Sequence, residues 1–200
     1  MSSDGRLNSS DDSQQVLMAL RRRDPQALAI LFEQHADAIH RLALNVLGGD
    51  AQQADGVVQN TFIALIEHVE QFEGRARIST WLYRVAYNEA LRRLRRARPQ
   101  LALDDALDED LPMPASLFDW RDLPEEALRQ QEARAMMQAA IDALPASLRA
   151  AFTLRDVQEF STREVAEILS ISEAAVKVRL HRARLALREA LSAYFEEYRR

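Results

Sequence analysis

The sequence predicts an all-α protein built as two small helical domains joined by a flexible acidic linker. Three observations lead there. Apolar residues recur at helical spacing through most of the chain, and no stretch alternates convincingly enough to be a strand. Four of the six prolines fall within residues 99–124, among a cluster of acids, which is the composition of a tether and not of a core. The helical stretches on either side of that tether do not repeat one another.

The elements follow in order. Residues 1–12 are rich in Ser and Asp and lack periodicity, the pattern of a disordered start. Helical spacing begins at Gln14. Asp24-Pro25 reads as an N-cap followed by proline at the first helical position. Leu28, Leu31, Phe32, His35, Ile39, Leu42, Ala43 and Val46 then keep helical spacing until Gly48-Gly49-Asp50 stops it. A second helix runs from about Ala51 to Val69, with Val58, Phe62, Leu65, Ile66 and Val69 on one side. A loop containing Gly74 follows, and Ser79 or Thr80 can cap a third helix that ends near Pro99. These elements place a first domain at 13–98 and the linker at 99–126. The second domain, 127–200, resumes the helical pattern at Pro124-Glu125-Glu126 and carries it to Leu144-Pro145. Three more helices fit at Pro145–Arg155, Thr162–Leu169 and Glu173 to about the C-terminus.

Composition removes several function classes. The chain has no cysteine, so neither a disulfide framework nor a thiolate zinc site can form. Its first fifteen residues are polar and acidic, unlike a secretory signal, and no run of about 18 apolar residues occurs. The expected location is the cytoplasm. His35, His40, His68 and His181 have no metal-ligand spacing, and no nucleophile elbow, P-loop or glycine-rich dinucleotide motif is present. The expectation is a protein that is not an enzyme and carries no cofactor.

The net charge is −5, but the charge is segregated. Arg75 to Arg98 holds eight arginines and one acid; Leu103 to Glu126 holds nine acids and one arginine. The excess turns positive again from Glu173 to Arg188. This distribution implies two basic surfaces separated by an acidic segment, the footprint of a polyanion-binding protein. Lys177 is the only lysine; every other fixed cation is arginine, whose planar fork suits phosphate and base contacts.

Ser161-Thr162-Arg163-Glu164 forms a capping box, which starts a short helix with Val165, Ile168 and Leu169 inward. Ala166 is small where a second helix must cross. Ser170-Ile171-Ser172 makes a tight turn, with Ser172 as the next N-cap. In the helix after it, Val176, Leu180, Ala183 and Leu187 fall within about 60° of one another. Lys177, His181, Arg184 and Arg188 form the adjacent face. This is a helix-turn-helix with a basic second helix, suited to a major groove.

The stretch LPASLRAAFTLRDVQEFSTREVAEILSISEAAVKVRLHRARLAL closely resembles region 4, the C-terminal DNA-binding region of extracytoplasmic-function sigma factors. DGVVQNTF, followed by FEGRARISTWLYRVAYNEALRRLRR, resembles region 2 of the same family. Order, spacing and acidic linker match over roughly residues 14–190. The resemblance implies a subunit that gives core RNA polymerase its promoter choice and helps open promoter DNA. The alternative is a free-standing helix-turn-helix regulator that binds duplex DNA by itself.

The resemblance also implies residue roles. In region 4, Lys177, Val178, His181 and Arg182 would lie nearest the bases of the −35 element, in a helix starting at Glu173. Arg179 and Arg184 would serve phosphates or the fold. In region 2, Arg75, Arg77, Arg84, Arg92, Arg93, Arg95 and Arg96 would meet −10 phosphates. Tyr87 and Asn88 would meet the strand or a flipped base. Trp81 is expected in the core. Polymerase would dock on Asp55, Val58, Gln59, Asn60 and Phe62. That surface departs from the family pattern, because Gly56 and Asn60 stand where acids are usual, and Ile66 replaces a tryptophan. Gly56 also costs about 1 kcal/mol of helix stability against alanine. The missing charge motivates the expectation of Thr61 as a phosphorylation switch, with a serine/threonine kinase acting where the resemblance implies an anti-sigma factor. The linker, through Asp104 to Asp110 and Phe118-Asp119-Trp120, would thread a polymerase channel.

Overall fold

The computed structural model describes residues 10–72, 77–97 and 131–198. The linker segments singled out above, residues 1–9 and Arg75 lie outside the described residues. Every regular element among the described residues is helical. The chain divides into two units, one built on residues up to Arg96 together with Glu167–Leu169, the other on the rest of the chain from Ala97 onward.

In the first unit, α1 (Ser10–Arg21) begins inside the segment expected to be disordered. Next comes α2 (Pro25–Leu47). The Asp24 side chain accepts a hydrogen bond from the Gln26 amide at 2.9 Å, and Pro25 opens the helix as the sequence implies. Gly48 ends α2 at φ 67°, a left-handed conformation that costs glycine nothing. Asp50 caps α3 (Ala51–His68) by accepting from the Gln53 amide at 3.0 Å. A 3₁₀ turn, Val69–Gln71, follows. Arg21 of α1 reaches over to this end, donating to the Phe72 carbonyl at 2.7 Å.

The last helix of this unit is α4 (Ile78–Ala97). Neither Ser79 nor Thr80 caps it. The Trp81 amide already donates to the Arg77 carbonyl at 3.1 Å, so both hydroxyl residues lie within the first turn and Thr80 is buried. Leu31, Ile39 and Leu42 of α2, Val57 and Leu65 of α3 and Leu82 of α4 are fully enclosed.

The second unit starts with α5 (Gln131–Ala143) and α6 (Ala146–Phe152). The expected helix to Arg155 does not persist. Its last part opens into a π turn, Thr153–Val157, closed by the Gln158 amide on the Thr153 carbonyl at 2.9 Å. Such turns fit one residue more per hydrogen-bonded ring and favour functional sites. Leu144, Leu148 and Phe152 pack with Ala183 and Leu187 into one apolar cluster.

α7 (Thr162–Leu169) carries both bonds of the capping box: Ser161 Oγ accepts from the Glu164 amide, and Glu164 Oε2 accepts from the Ser161 amide. Ser170 turns the chain at φ 57°, standing in a conformation that favours glycine. Ser172 Oγ then accepts from the Ala175 amide at 3.1 Å, launching α8 (Glu173–Tyr198).

Candidate partner and nucleic-acid interfaces

α2 and α3 pair as a helical hairpin across the Gly48-Gly49 turn, and their outer edges do not close. An open cavity of about 650 Å³ lies between them. α2 contributes Phe32, Ala36, Asp37 and His40 to its wall; α3 contributes Asp55, Val58, Gln59, Phe62, Ile63 and Ile66. Phe32, Ile63 and Ile66 are 47%, 43% and 52% exposed, so apolar surface is left without a partner inside the unit. Phe32 and Phe62 meet with ring centroids 4.9 Å apart. Polar groups lie beside this floor: Asp37, and Asp55 with His40 Nε2 at 3.2 Å from its Oδ1. An apolar trough edged by carboxylates fits an amphipathic, basic helix.

Four of the five residues expected to dock polymerase, Asp55, Val58, Gln59 and Phe62, therefore line one surface. Asn60 does not. Its Nδ2 donates to Glu89 Oε1 of α4 at 3.0 Å, on another side of α3. Thr61 does not either. It is 0% exposed, and its hydroxyl donates to the Val57 carbonyl one turn back at 2.8 Å. A kinase cannot reach that oxygen while α3 holds its place, which corrects the expectation of a switch there. The α2 side of the trough was missed by sequence reasoning. Phe32 and Ile66, which share the helical spacing of the apolar positions, are both about half exposed. Asp37 answers part of the question of missing charge, because it adds an acid from the neighbouring helix.

The space at Gly56 is taken by the far end of a flexible side chain. A Cβ there would stand 2.5 Å from Arg93 Nη1. The Arg93 fork lies over this point and donates to the Gln53 carbonyl at 3.3 Å and to Gln53 Oε1 at 2.9 Å.

On α4, buried positions Ile78, Leu82, Tyr83, Ala86, Tyr87 and Ala90 define one face. Arg77, Trp81, Arg84, Asn88 and Arg95 fall within about 60° of each other on the opposite face. They span about 27 Å at 1.5 Å per residue. Arg95 and Arg96 are exposed, as is Asn88. Trp81 is only partly buried, on this outward face, with its ring edge-on to Phe72 at 6.3 Å. Tyr87 is 3% exposed, so its ring belongs to the interior and offers no surface to a strand in this conformation.

Arg92 and Arg93 are committed elsewhere. Arg92 bonds the Glu89 carboxylate with both fork nitrogens, at 2.7 and 2.8 Å, and Arg93 Nε donates to it at 2.8 Å. Burial pushes the Glu89 carboxyl up, but hydrogen bonds from Arg93, Arg92 and Asn60 and the Arg92 charge outweigh it. The net result lies below the ordinary value, so Glu89 is an anion at neutral pH. Burial alone holds the His35 imidazole below its usual range, beside the edge of Tyr83.

In the second unit Val176, Leu180, Ala183 and Leu187 are buried, as their spacing requires. Glu173 and Lys177 are exposed, and Val178 and Arg182 are partly so. Arg179 and His181 are each 5% exposed and present no edge to a base in this conformation. Arg184 is not a surface cation. Its Nη2 and Nε donate to Asp156 Oδ1 and Oδ2 at 2.8 and 3.1 Å. The Asp156 side chain is 1% exposed, so this fork ties the π turn to α8 from inside.

Among the described residues no group of His, Cys, Asp or Glu side chains could hold a metal ion. No helix among them is long and apolar enough to cross a membrane.

Comparison with known proteins matches residues 31–100 to sigma-70 region 2 and residues 134–187 to sigma-70 region 4. The chain is 33% identical over 174 residues to the ECF RNA polymerase sigma factor SigW of Bacillus subtilis, covering 86% of this chain and 92% of that one. It is 31% identical over 191 residues to the RNA polymerase sigma-H factor of Pseudomonas aeruginosa, covering 94% and 97%. Among solved structures, CnrH in complex with the cytosolic domain of CnrY superposes with a TM-score of 0.60 at 23% identity, covering 90% of this chain and 97% of that one. The sigma factor RpoE of Bartonella quintana, in complex with the anti-sigma factor NepR, gives 0.56 at 21%, covering 92% and 98%. These two likenesses concern the fold. With both regions present in order and relatives matched over nearly their full length, the chain belongs to the extracytoplasmic-function sigma factors of the sigma-70 family.

Proposed function

We propose that the chain docks on core RNA polymerase through the α2–α3 trough and holds promoter DNA on two separate basic surfaces. As a sigma factor it directs core polymerase to specific promoters and assists their opening. The observation that carries the docking reading is the trough itself. It combines an unpartnered apolar floor with Asp37 and Asp55.

The α4 stripe of Arg77, Arg84, Asn88 and Arg95 would follow the −10 strand, since a line of arginines matches a single-stranded backbone. The exposed start of α8, with Lys177 and the partly exposed Val178 and Arg182, would enter the major groove of the −35 element. The protein in this reading is cytoplasmic and non-catalytic, and it takes an anti-sigma factor as a partner, as the sigma factor RpoE takes NepR in the Bartonella quintana complex. A free-standing regulator would have no use for the first unit's trough.

Charge reversal tests the docking surface. Asp37→Arg with Asp55→Arg should lower affinity for core polymerase at least about tenfold, because like charges across an interface are disfavoured by more than 1.4 kcal/mol. Circular dichroism should be unchanged, since the Asp55 side chain is 77% exposed. Undiminished affinity measured by fluorescence anisotropy would place the docking surface elsewhere.

A further inference from the structure

We infer that Glu89 divides the arginines of α4 into two sets and so limits how tightly this chain grips single-stranded DNA. The inference rests on the proposed −10 role of α4. Glu89 sits where α3 and α4 meet, with its side chain 12% exposed. It accepts from Asn60 of α3 and from Arg92 and Arg93 of its own helix.

Arg93 is fixed twice over. One nitrogen is on Glu89, and another is on Gln53, above a glycine that leaves room for it. Arg92 is bonded by two nitrogens to the same carboxylate, about 60° round from the Arg77–Arg95 line. Four arginines crowd the last turns of α4, but Glu89 cancels one charge and holds two of the forks on its carboxylate. Arg95 and Arg96, both exposed, are the ones left at this end of α4 to meet phosphates.

This partition has a consequence of unusual sign. Removing a side chain near a binding surface ordinarily weakens binding. Glu89→Gln keeps the shape and the acceptor for Asn60 or Arg93, removes the anion, and frees Arg92 for a phosphate. The −10 surface gains one effective cation. Each phosphate neutralised on a single strand contributes about 0.7 to the slope of log K against log salt.

The experiment uses holoenzyme assembled from the full chain and core polymerase, with a forked promoter whose −10 strand is single-stranded. Binding is measured across a salt series. Glu89→Gln is expected to bind the fork several-fold more tightly than wild type and to steepen the slope by about 0.7. Arg92→Gln is expected to leave the slope as in wild type, and Arg95→Gln to flatten it by about 0.7. Arg92→Gln flattening the slope as much as Arg95→Gln would overturn the partition. So would a Glu89→Gln holoenzyme with an unchanged or shallower slope. If Glu89→Gln does not assemble with core, the comparison of Arg92→Gln with Arg95→Gln decides alone. A wild-type holoenzyme that shows no salt-dependent binding to the fork would instead sink the proposed −10 role itself.

Discussion

Asp156→Ala is expected to destabilise the second unit by about 3 kcal/mol, the low end for breaking a buried ion pair from one side. The cost comes from what remains. Arg184 keeps its charge with only 20% of its side chain exposed, and no carboxylate faces it. The loss should appear as faster hydrogen exchange in the π turn and α8, while α2 and α3 exchange as before. Asp156→Leu combined with Arg184→Met should recover most of the loss, because replacing both charges removes the uncompensated one. Promoter recognition through the −35 element should fall with Asp156→Ala at temperatures where the unit is still folded, since α8 loses its tie to the π turn. Exchange rates in α8 equal to wild type would mean that water solvates Arg184 without cost, and the pair would have no structural weight.

Thr61→Glu is expected to unfold the first unit or destabilise it by several kcal/mol, since a carboxylate without a partner would enter a fully enclosed site. Thr61→Val should cost less than about 1.5 kcal/mol. It keeps the volume and removes a hydroxyl bonded only to a carbonyl of its own helix. The contrast separates a packing residue from a phosphorylation switch. A switch would make Thr61→Glu bind core polymerase more tightly, with its melting temperature retained. Thermal denaturation and core-binding titration of the two variants read both quantities.

The reach of sequence reasoning differed between backbone signals and side-chain faces. Asp24-Pro25, Gly48 and the Ser161–Glu164 box sit where they were read, because each acts within a few residues of its own position. Ser79 and Thr80 are equally good cap residues, but a cap is defined by where the first turn starts. Here that is set by burial of Ile78, Thr80 and Leu82. The π turn has no local signal; it accompanies an ion pair to a residue 28 positions on.

The motif on α3 shows the same limit for function. Read linearly, Asp55 to Phe62 is one segment. At 100° per residue it covers three faces: Asp55, Gln59 and Phe62 on the trough, Gly56 and Asn60 toward α4, Val57 and Thr61 in the core. Helical angles alone could have separated Thr61 from Asp55. The contributions of Phe32, Asp37 and His40 could not be seen that way, because they depend on how α2 packs beside α3. The pairing of Arg92 and Arg93 with Glu89 was legible as i+3 and i+4 spacing, but a run of eight arginines drew attention to their charge and away from the one acid among them.

The most direct measurement is transcription from a library of randomised promoters by core RNA polymerase with and without the purified full chain. The expected result is a set of transcripts that needs both components and shares a −35 and a −10 sequence. The isolated chain should fail to retard the same promoters as duplex at moderate salt. Tight, sequence-specific retention of duplex by the chain alone, with no gain in transcription when core polymerase is added, would contradict the account and favour a free-standing regulator.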